Sequence, residues 1–249
     1  MKLYDTLIIG SGYTALGYAL TRGNTLIVEE GESCDTGFSL SQRCFLLPSY
    51  EIKNALAKKL YDYYEALGLI CDGMTNTGAL ECGFCAFAID MGAEILLKCR
   101  IINQELASDG TIKVTVISGG GIEYIFTKRI IDMRNQEEKR YLTFLFTTKN
   151  QSLDIPALLS ALPNSKIEPA FYKSRYALHM ELTEDEDINE ARIRLYDIWD
   201  KTEHTAKLLY TAPTTALEST KSDIPKDSAY RSFIEAFDAG ISYASEVIL

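Results

Sequence analysis

The chain has 249 residues and carries 25 Lys and Arg against 35 Asp and Glu, which gives a formal net charge of −10. Apolar residues make up 47% and charged residues 24%, which is typical of a globular protein and excludes a disordered chain or a fibre. Nucleic-acid binding needs clustered Lys and Arg to replace the counterions of phosphate, and the acidic sequence has no such cluster.

The sequence also argues against a membrane or secreted protein. No apolar run reaches the roughly 18 residues that suggest a transmembrane helix, and the first residues lack a signal-peptide pattern. Six cysteines are too few for a disulfide-based fold of this length. Cys82 and Cys85 form a single C-x-x-C pair without further metal-ligand spacing, so no metal site is predicted. We therefore expect a cytoplasmic protein with reduced thiols and no membrane partner.

The first thirty or so residues predict a compact βαβ unit. Residues 5–10 form a short apolar run that ends in glycine, as in a strand buried on both faces. Residues 13–22 carry an apolar stripe at helical spacing, and residues 24–29 form a second apolar run. Two parallel strands joined by one helix are therefore expected here.

The remaining chain alternates helix and strand patterns before its texture changes near residue 137. The pattern predicts helices over 50–66 and 77–91, strands over 93–102, 111–117, 122–127 and 128–132, then strands over 141–148, 169–182 and 207–217 around a helix near 184–203, and a last helix over 230–248. Together these predict an α/β protein. A Rossmann-type parallel sheet with an inserted β-meander occupies residues 1–136, and the helix within 230–249 returns to it. A smaller α+β cap domain occupies residues 137–229.

A glycine motif stands at the junction of the first strand and helix. Gly10-Ser11-Gly12-Tyr13-Thr14-Ala15 fits the dinucleotide fingerprint G-x-G-x-x-G/A. Gly10 permits the tight turn, Gly12 lets a pyrophosphate approach the backbone, and Ala15 lets the helix pack close to the sheet. The helix start then offers free N–H groups to the diphosphate. The alternative interpretation is an ordinary glycine turn.

An acidic residue follows at the distance that the fingerprint requires. Glu29 lies 19 residues after Gly10 and ends the second predicted strand, where a carboxylate binds ribose hydroxyls. Glu30 is the alternative if the strand register differs. A carboxylate there disfavours the 2′-phosphate of NADP, but this unit alone leaves FAD and NAD both open.

Residues 4–37 resemble the FAD-binding segment of the FAD-dependent oxidoreductases of the glutathione-reductase-like superfamily. The resemblance continues through Gly92–Leu97 and Arg100–Ile102, the 111–127 hairpin and Lys128–Asp132, and so covers roughly residues 4–135. It implies FAD as the cofactor and a hydride transfer between flavin and a small-molecule substrate. Besides the glycine motif and the acids, it implies cofactor contacts at Gly37, Ser39, Arg43, Ile101, Met133, Arg134, Asp238 and Gly240. Met133-Arg134-Asn135 departs from the Ala-Thr-Gly turn of that superfamily. The loop that contains Ser39 and Arg43 also fits a polar surface loop.

The sequence assigns no catalytic residue and no oligomeric state. His179 is a candidate acid or base on the substrate side, although a structural role fits its strand-like surroundings better. The leading hypothesis is a flavoprotein oxidoreductase. The alternatives are a non-catalytic or reduced FAD- or nucleotide-binding relative that acts as a subunit or regulatory protein, and an NAD-dependent dehydrogenase. All three require open space above Gly12 for a diphosphate.

Overall fold

The computed structural model of the protein describes residues 2–43, 50–135, 138–148, 154–202 and 206–246. The strands are β1 Leu3–Tyr4, β2 Thr6–Ile9, β3 Thr25–Val28, β4 Ile70–Cys71, β5 Met74–Thr75, β6 Glu94–Leu96, β7 Arg100–Leu106, β8 Ile112–Ser118, β9 Gly121–Thr127, β10 Ile130–Asp132, β11 Lys139–Thr147, β12 Lys166–Pro169, β13 Arg175–Glu181, β14 Lys207–Thr211 and β15 Ala216–Glu218. The α-helices are α1 Tyr13–Arg22, α2 Ala55–Ala66, α3 Leu80–Asp90, α4 Ile155–Ala161, α5 Ile188–Lys201 and α6 Phe233–Glu246. Short helical turns cover Thr36–Leu40, Thr77–Ala79 and Asp227–Ala229. No helix within the described residues is long and apolar enough to cross a membrane.

The centre of the fold is a parallel sheet in the order β10-β2-β3-β6. Its strands are short apolar runs because both faces of the sheet are covered. On one face, Ile8 and Ile27 pack with Tyr18 of α1. On the other face, Leu7 packs with Val114 of the neighbouring sheet. The α/β class and the parallel sheet that the sequence predicts are confirmed.

The second face of the parallel sheet is covered by a β-meander. Strands β7, β8 and β9 are antiparallel, and β1 joins them in the order β1-β9-β8-β7. The single strand predicted over 93–102 is wrong, because the chain changes sheets there. β6 pairs with β3 and β7 pairs with β8, and Lys98 has a positive φ of 52° at the break.

Helices α1 and α6 lie in close contact on the first face. A side-chain carbon added at Gly17 would meet the carbonyl oxygen of Phe237, and one added at Gly240 would meet the carbonyl oxygen of Thr14. Both helices therefore approach at positions where only glycine fits. This contact fixes the start of α1 relative to the chain that leads into α6.

A separate antiparallel sheet contains the strands after residue 138. Its order is β12-β13-β11-β14, and β15 also pairs with β11. Phe144 and Phe146 of β11 pack against Trp199 of α5. The strand predicted over 169–182 is wrong in extent, because a turn with Ser174 at a φ of 61° separates β12 from β13. The limits of the two predicted domains stay a prediction.

Candidate cofactor site

The glycine turn between β2 and α1 has a backbone that only glycine can adopt. Gly10 has a φ of +94°, and a Cβ there would lie 2.9 Å from the backbone N and Cα of Arg134. The Gly10 N–H donates to the carbonyl of Val28 at 2.9 Å, which joins the turn to β3. Arg134 follows β10, so the ends of three parallel strands meet around this turn.

The predicted ribose carboxylate is hydrogen-bonded within the chain. Glu29 accepts the Ser11 N–H at 2.8 Å, the Ser11 hydroxyl at 3.1 Å and the Gly31 N–H at 2.8 Å. Glu30 pairs with Arg100 at 3.2 Å on the surface. Glu29 therefore ties the glycine turn to the loop after β3, and a ribose would share its oxygens with those donors.

The start of α1 is filled by a carboxylate from a distant part of the chain. Asp227 accepts the Tyr13 N–H, the Thr14 N–H and the Thr14 hydroxyl, each at 2.9 Å. Its side chain is 3% exposed, and a Cβ on Gly12 would lie 2.5 Å from its Oδ2. The sequence expects open space above Gly12. In the structure the 227–229 turn covers this position, so the expectation of open space above Gly12 is wrong.

Predicted cofactor residues hold the segment that carries Asp227. Arg43 donates to the carbonyls of Ser228 at 3.1 Å and Leu217 at 2.5 Å. The side-chain oxygen of Asn135 accepts the Ser228 N–H at 2.8 Å. Gly37 lies against the same residues, since a Cβ there would be 3.3 Å from Asn135 Nδ2 and 3.5 Å from Asp227 Cβ. The structure thus brings Gly37 and Arg43 to the start of α1.

Two buried acids beside the glycine turn have raised pKa values. Burial raises the pKa of Asp227, against the lowering effect of the hydrogen bonds from Thr14 and Tyr13 and of the Arg43 charge. Burial also raises the pKa of Asp35 to about 8. Asp35 Oδ1 accepts the Phe38 N–H at 2.9 Å, whereas its buried Oδ2 has no hydrogen-bond partner among the described residues.

Two clefts have predicted cofactor residues in their walls. A cleft of about 280 Å³ adjoins Gly10, and we call it the adenosine-side cleft; among the residues that line it are Glu29, Glu30, Arg100, Ile101 and Arg134. A cavity of about 400 Å³ adjoins Ser39, and we call it the cap-side cavity; its walls include Gln42, Glu81, Tyr172, Arg175 and Tyr210.

Other predicted contacts have structural partners. Met133 is buried in the core, and its N–H donates to Ile9 at 2.9 Å. Arg134 pairs with Asp132 at 2.6 Å and thereby lowers the pKa of that carboxyl. Asp238 accepts the Tyr50 hydroxyl at 2.7 Å, the Lys53 N–H at 2.9 Å and the Asn54 amide. The structure therefore uses Asp238 to hold the chain before α2, and Gly240 to pack α6 on α1.

His179 lies outside both clefts. Its Nδ1 is 3.0 Å from the hydroxyl of Thr143, and its Nε2 is 3.7 Å from Glu168. Burial lowers the pKa of His179, and the Glu168 contact opposes that shift. The ring lines a small separate cavity with Arg43. This environment fits the structural alternative.

Asp227 is a residue of this site that the sequence did not predict. The polar stretch before the last helix contains it, but a carboxylate 213 residues away from Thr14 gives no local signal for a helix cap. An aspartate in a short turn just before a terminal helix is the one hint available. Glu81, on the wall of the cap-side cavity, was also missed, since its position in α3 matches no motif.

Comparisons with known proteins show the fold. No family model matches the sequence, and no curated protein matches it. A geranylgeranyl bacteriochlorophyll reductase-like protein from Thermoplasma acidophilum is 14% identical, with a TM-score of 0.60 over 98% of this chain and 78% of that chain. L-Proline dehydrogenase from P. horikoshii is 10% identical, with a TM-score of 0.59 over 98% and 93%.

A third similar structure is p-nitrophenol 4-monooxygenase from Pseudomonas putida DLL-E4, which is 10% identical with a TM-score of 0.55 over 88% of this chain and 69% of that chain. Across the similar structures, the chain spans 52% to 93% of their length. Their names are those of a reductase-like protein, a dehydrogenase and a monooxygenase, and at this identity the likeness establishes a shared fold. The narrower glutathione-reductase-like assignment stays a prediction. The protein has the Rossmann-type α/β fold of these oxidoreductase structures.

Proposed function

We propose that the chain binds FAD across the adenosine-side cleft and the cap-side cavity, and that it is a flavoprotein oxidoreductase acting on a small molecule. One observation carries this proposal. The start of α1 holds a buried carboxylate through two backbone N–H groups and one hydroxyl, so this helix end binds an anion. Bound FAD would accept a hydride from the substrate.

The described residues fit the adenosine half of the cofactor. In the adenosine-side cleft, the backbone at Ile101 would contact adenine, while Glu29 or Glu30 would accept hydrogen bonds from ribose. The diphosphate would use the N–H groups of Tyr13 and Thr14. That position fits an anion by its chemistry, and the Asp227 carboxyl group occupies it in this structure.

The cap-side cavity would hold the flavin end and the substrate. Tyr172 and Tyr210 supply aromatic surface, and the Arg175 guanidinium lies 4.5 Å from the centre of the Tyr172 ring. A cation beside aromatic walls suits a flat apolar molecule that carries an anionic group. Ser39 would contact the ligand from the wall of this cavity.

The test is FAD binding by the purified full chain. Binding is measured by isothermal titration calorimetry and by the visible absorbance of oxidised flavin. We expect saturable FAD binding that is lost in Gly12→Val, because the new side chain would occupy the diphosphate position. Gly119→Val is the matched control, since nothing lies within 4 Å of that glycine. Equal FAD binding by the wild type and Gly12→Val would contradict the proposed site. Bleaching of the bound flavin by a reductant would support catalysis.

The filled start of α1 also favours a second candidate, a chain that binds no dinucleotide. In that case Asp227 would be a permanent cap and the clefts would serve no dinucleotide. The same titration separates the candidates, because this one predicts a colourless protein without FAD binding. Binding of NAD in place of FAD would instead favour the dehydrogenase alternative.

A further inference from the structure

The buried carboxylate of Asp227 and a nucleotide diphosphate need the same hydrogen-bond donors. Asp227 uses the N–H groups of Tyr13 and Thr14 and the Thr14 hydroxyl, each at 2.9 Å. It also fills the space beside Gly12, since a Cβ on that glycine would lie 2.5 Å from Oδ2. The two anions therefore cannot occupy the start of α1 together.

We infer that Asp227 is an internal competitor that sets the affinity of this protein for a nucleotide diphosphate. The side chain has to leave the N–H groups of α1 before a diphosphate reaches them. This inference rests on the proposed function, and it adds the residue that controls ligand entry.

The charges around the site make simultaneous binding unfavourable. A diphosphate placed beside ionised Asp227 would bring like charges into contact in a buried position, which disfavours both. Asp35 adds a second buried carboxyl close enough to raise the pKa of Tyr13 together with Asp227. Displacement of Asp227 would remove its carboxyl group from the position that the diphosphate needs.

The segment that carries Asp227 is held by hydrogen bonds from two other parts of the chain. Arg43 holds the Ser228 carbonyl at 3.1 Å, and Asn135 accepts the Ser228 N–H at 2.8 Å. Arg43 belongs to the loop that adjoins the cap-side cavity, and Asn135 follows Arg134 of the adenosine-side cleft. Movement of Asp227 would therefore affect two chain segments, each of which is next in sequence to a wall residue of one cleft.

The experiment compares ligand binding in charge variants of one segment. Asp227→Asn removes the charge and keeps an oxygen that can accept the α1 N–H groups. Asp223→Asn makes the same change at an exposed position four residues earlier, and it is the matched control. ADP, FAD and inorganic pyrophosphate are titrated into each full chain by calorimetry, after circular dichroism has confirmed the fold. Asp227→Ser is the second variant if Asp227→Asn does not fold.

We expect ADP and FAD to bind Asp227→Asn at least about tenfold more tightly than the wild type, with Asp223→Asn unchanged. Equal or weaker binding by Asp227→Asn, with FAD still bound by the wild type, would show that Asp227 does not compete with the diphosphate. The proposed function would still hold. Pyrophosphate binding by Asp227→Asn alone, without binding of ADP or FAD, would support the competitor and overturn the proposed function. Absence of binding for all three ligands in every variant would overturn both.

Discussion

Helices α1 and α5 both begin at an aspartate carboxylate, but the two carboxylates come from different distances. Asp187 directly precedes α5 and accepts the N–H groups of Asn189 and Glu190, while Glu190 accepts the Asp187 N–H in return. Asp227 reaches Tyr13 across 214 residues of sequence. The first aspartate is exposed and the second is buried.

The two caps differ in how the aspartate is brought to the N-terminus of its helix. A local capping box forms with the helix itself, because its partners lie within three residues. A remote cap depends on tertiary packing, and it leaves the glycine turn of α1 without any side chain of its own at the helix end. If Asp227 is displaced as we propose, the Tyr13 and Thr14 N–H groups would remain for an external anion.

The electrostatics of the two helix starts also differ. At α5, Arg194 pairs with Glu186 at 2.7 Å and lowers the pKa of that carboxyl. At α1, burial raises the pKa of both Asp227 and Asp35. The surroundings of α5 therefore lower the pKa of a nearby acid, whereas burial at the start of α1 raises the pKa of both acids there.

The largest expected effect comes from separating α1 from α6. Gly240→Ala would place a methyl group against the Thr14 carbonyl, which is backbone and cannot rotate away. We expect a loss of about 3 kcal/mol or more in unfolding free energy, because close packing leaves no room for the new group. Urea unfolding measures it. Gly119→Ala, in open space, is the control, and equal stability of the two variants would contradict the close contact.

Removal of the remote cap comes next. Asp227→Ala would leave the Tyr13 and Thr14 N–H groups buried without an acceptor, and we expect a loss of about 2 kcal/mol. Asp223→Ala is the matched change at an exposed position. Urea unfolding of both variants is the measurement. A loss no larger than that of the control would show that Asp227 does not stabilise α1.

The sequence predicted what depends on neighbours along the chain. The apolar runs around residues 5–10 and 24–29 predicted two buried strands, and both appear as β2 and β3. The helix predicted near 184–203 appears as α5, and Asp187 caps it. Asp227 escaped because its partner is distant, and the strand over 93–102 was wrong because only tertiary structure shows a change of sheet.

The pH dependence of stability tests the buried acids of the α1 region. The pKa of Asp35 rises from 3.8 to about 8 on folding, so between these values the folded protein holds a proton that the unfolded chain has released. Stability contributed by this group therefore falls as pH rises, by about 1.4 kcal/mol per pH unit. Asp35→Asn keeps the acceptor for Phe38 and removes the titration. We expect urea unfolding to show a shallower decline between about pH 5 and pH 8 for the variant. Parallel curves would contradict the raised pKa.

The smallest expected effect belongs to the local cap. Asp187→Ala removes the acceptor of the Asn189 and Glu190 N–H groups, but these lie in solvent, where water replaces the lost bonds. We expect a loss of about 1 kcal/mol, which urea unfolding resolves. Asp185→Ala, exposed in the same acidic run but outside the cap, is the control.

Added pyrophosphate should leave the stability of Asp187→Ala unchanged while it restores that of Asp227→Ala, because of these two helices α1 is the one whose start we propose as an anion site. Equal rescue of both variants would mean that the anion acts on the whole protein and not at the start of α1.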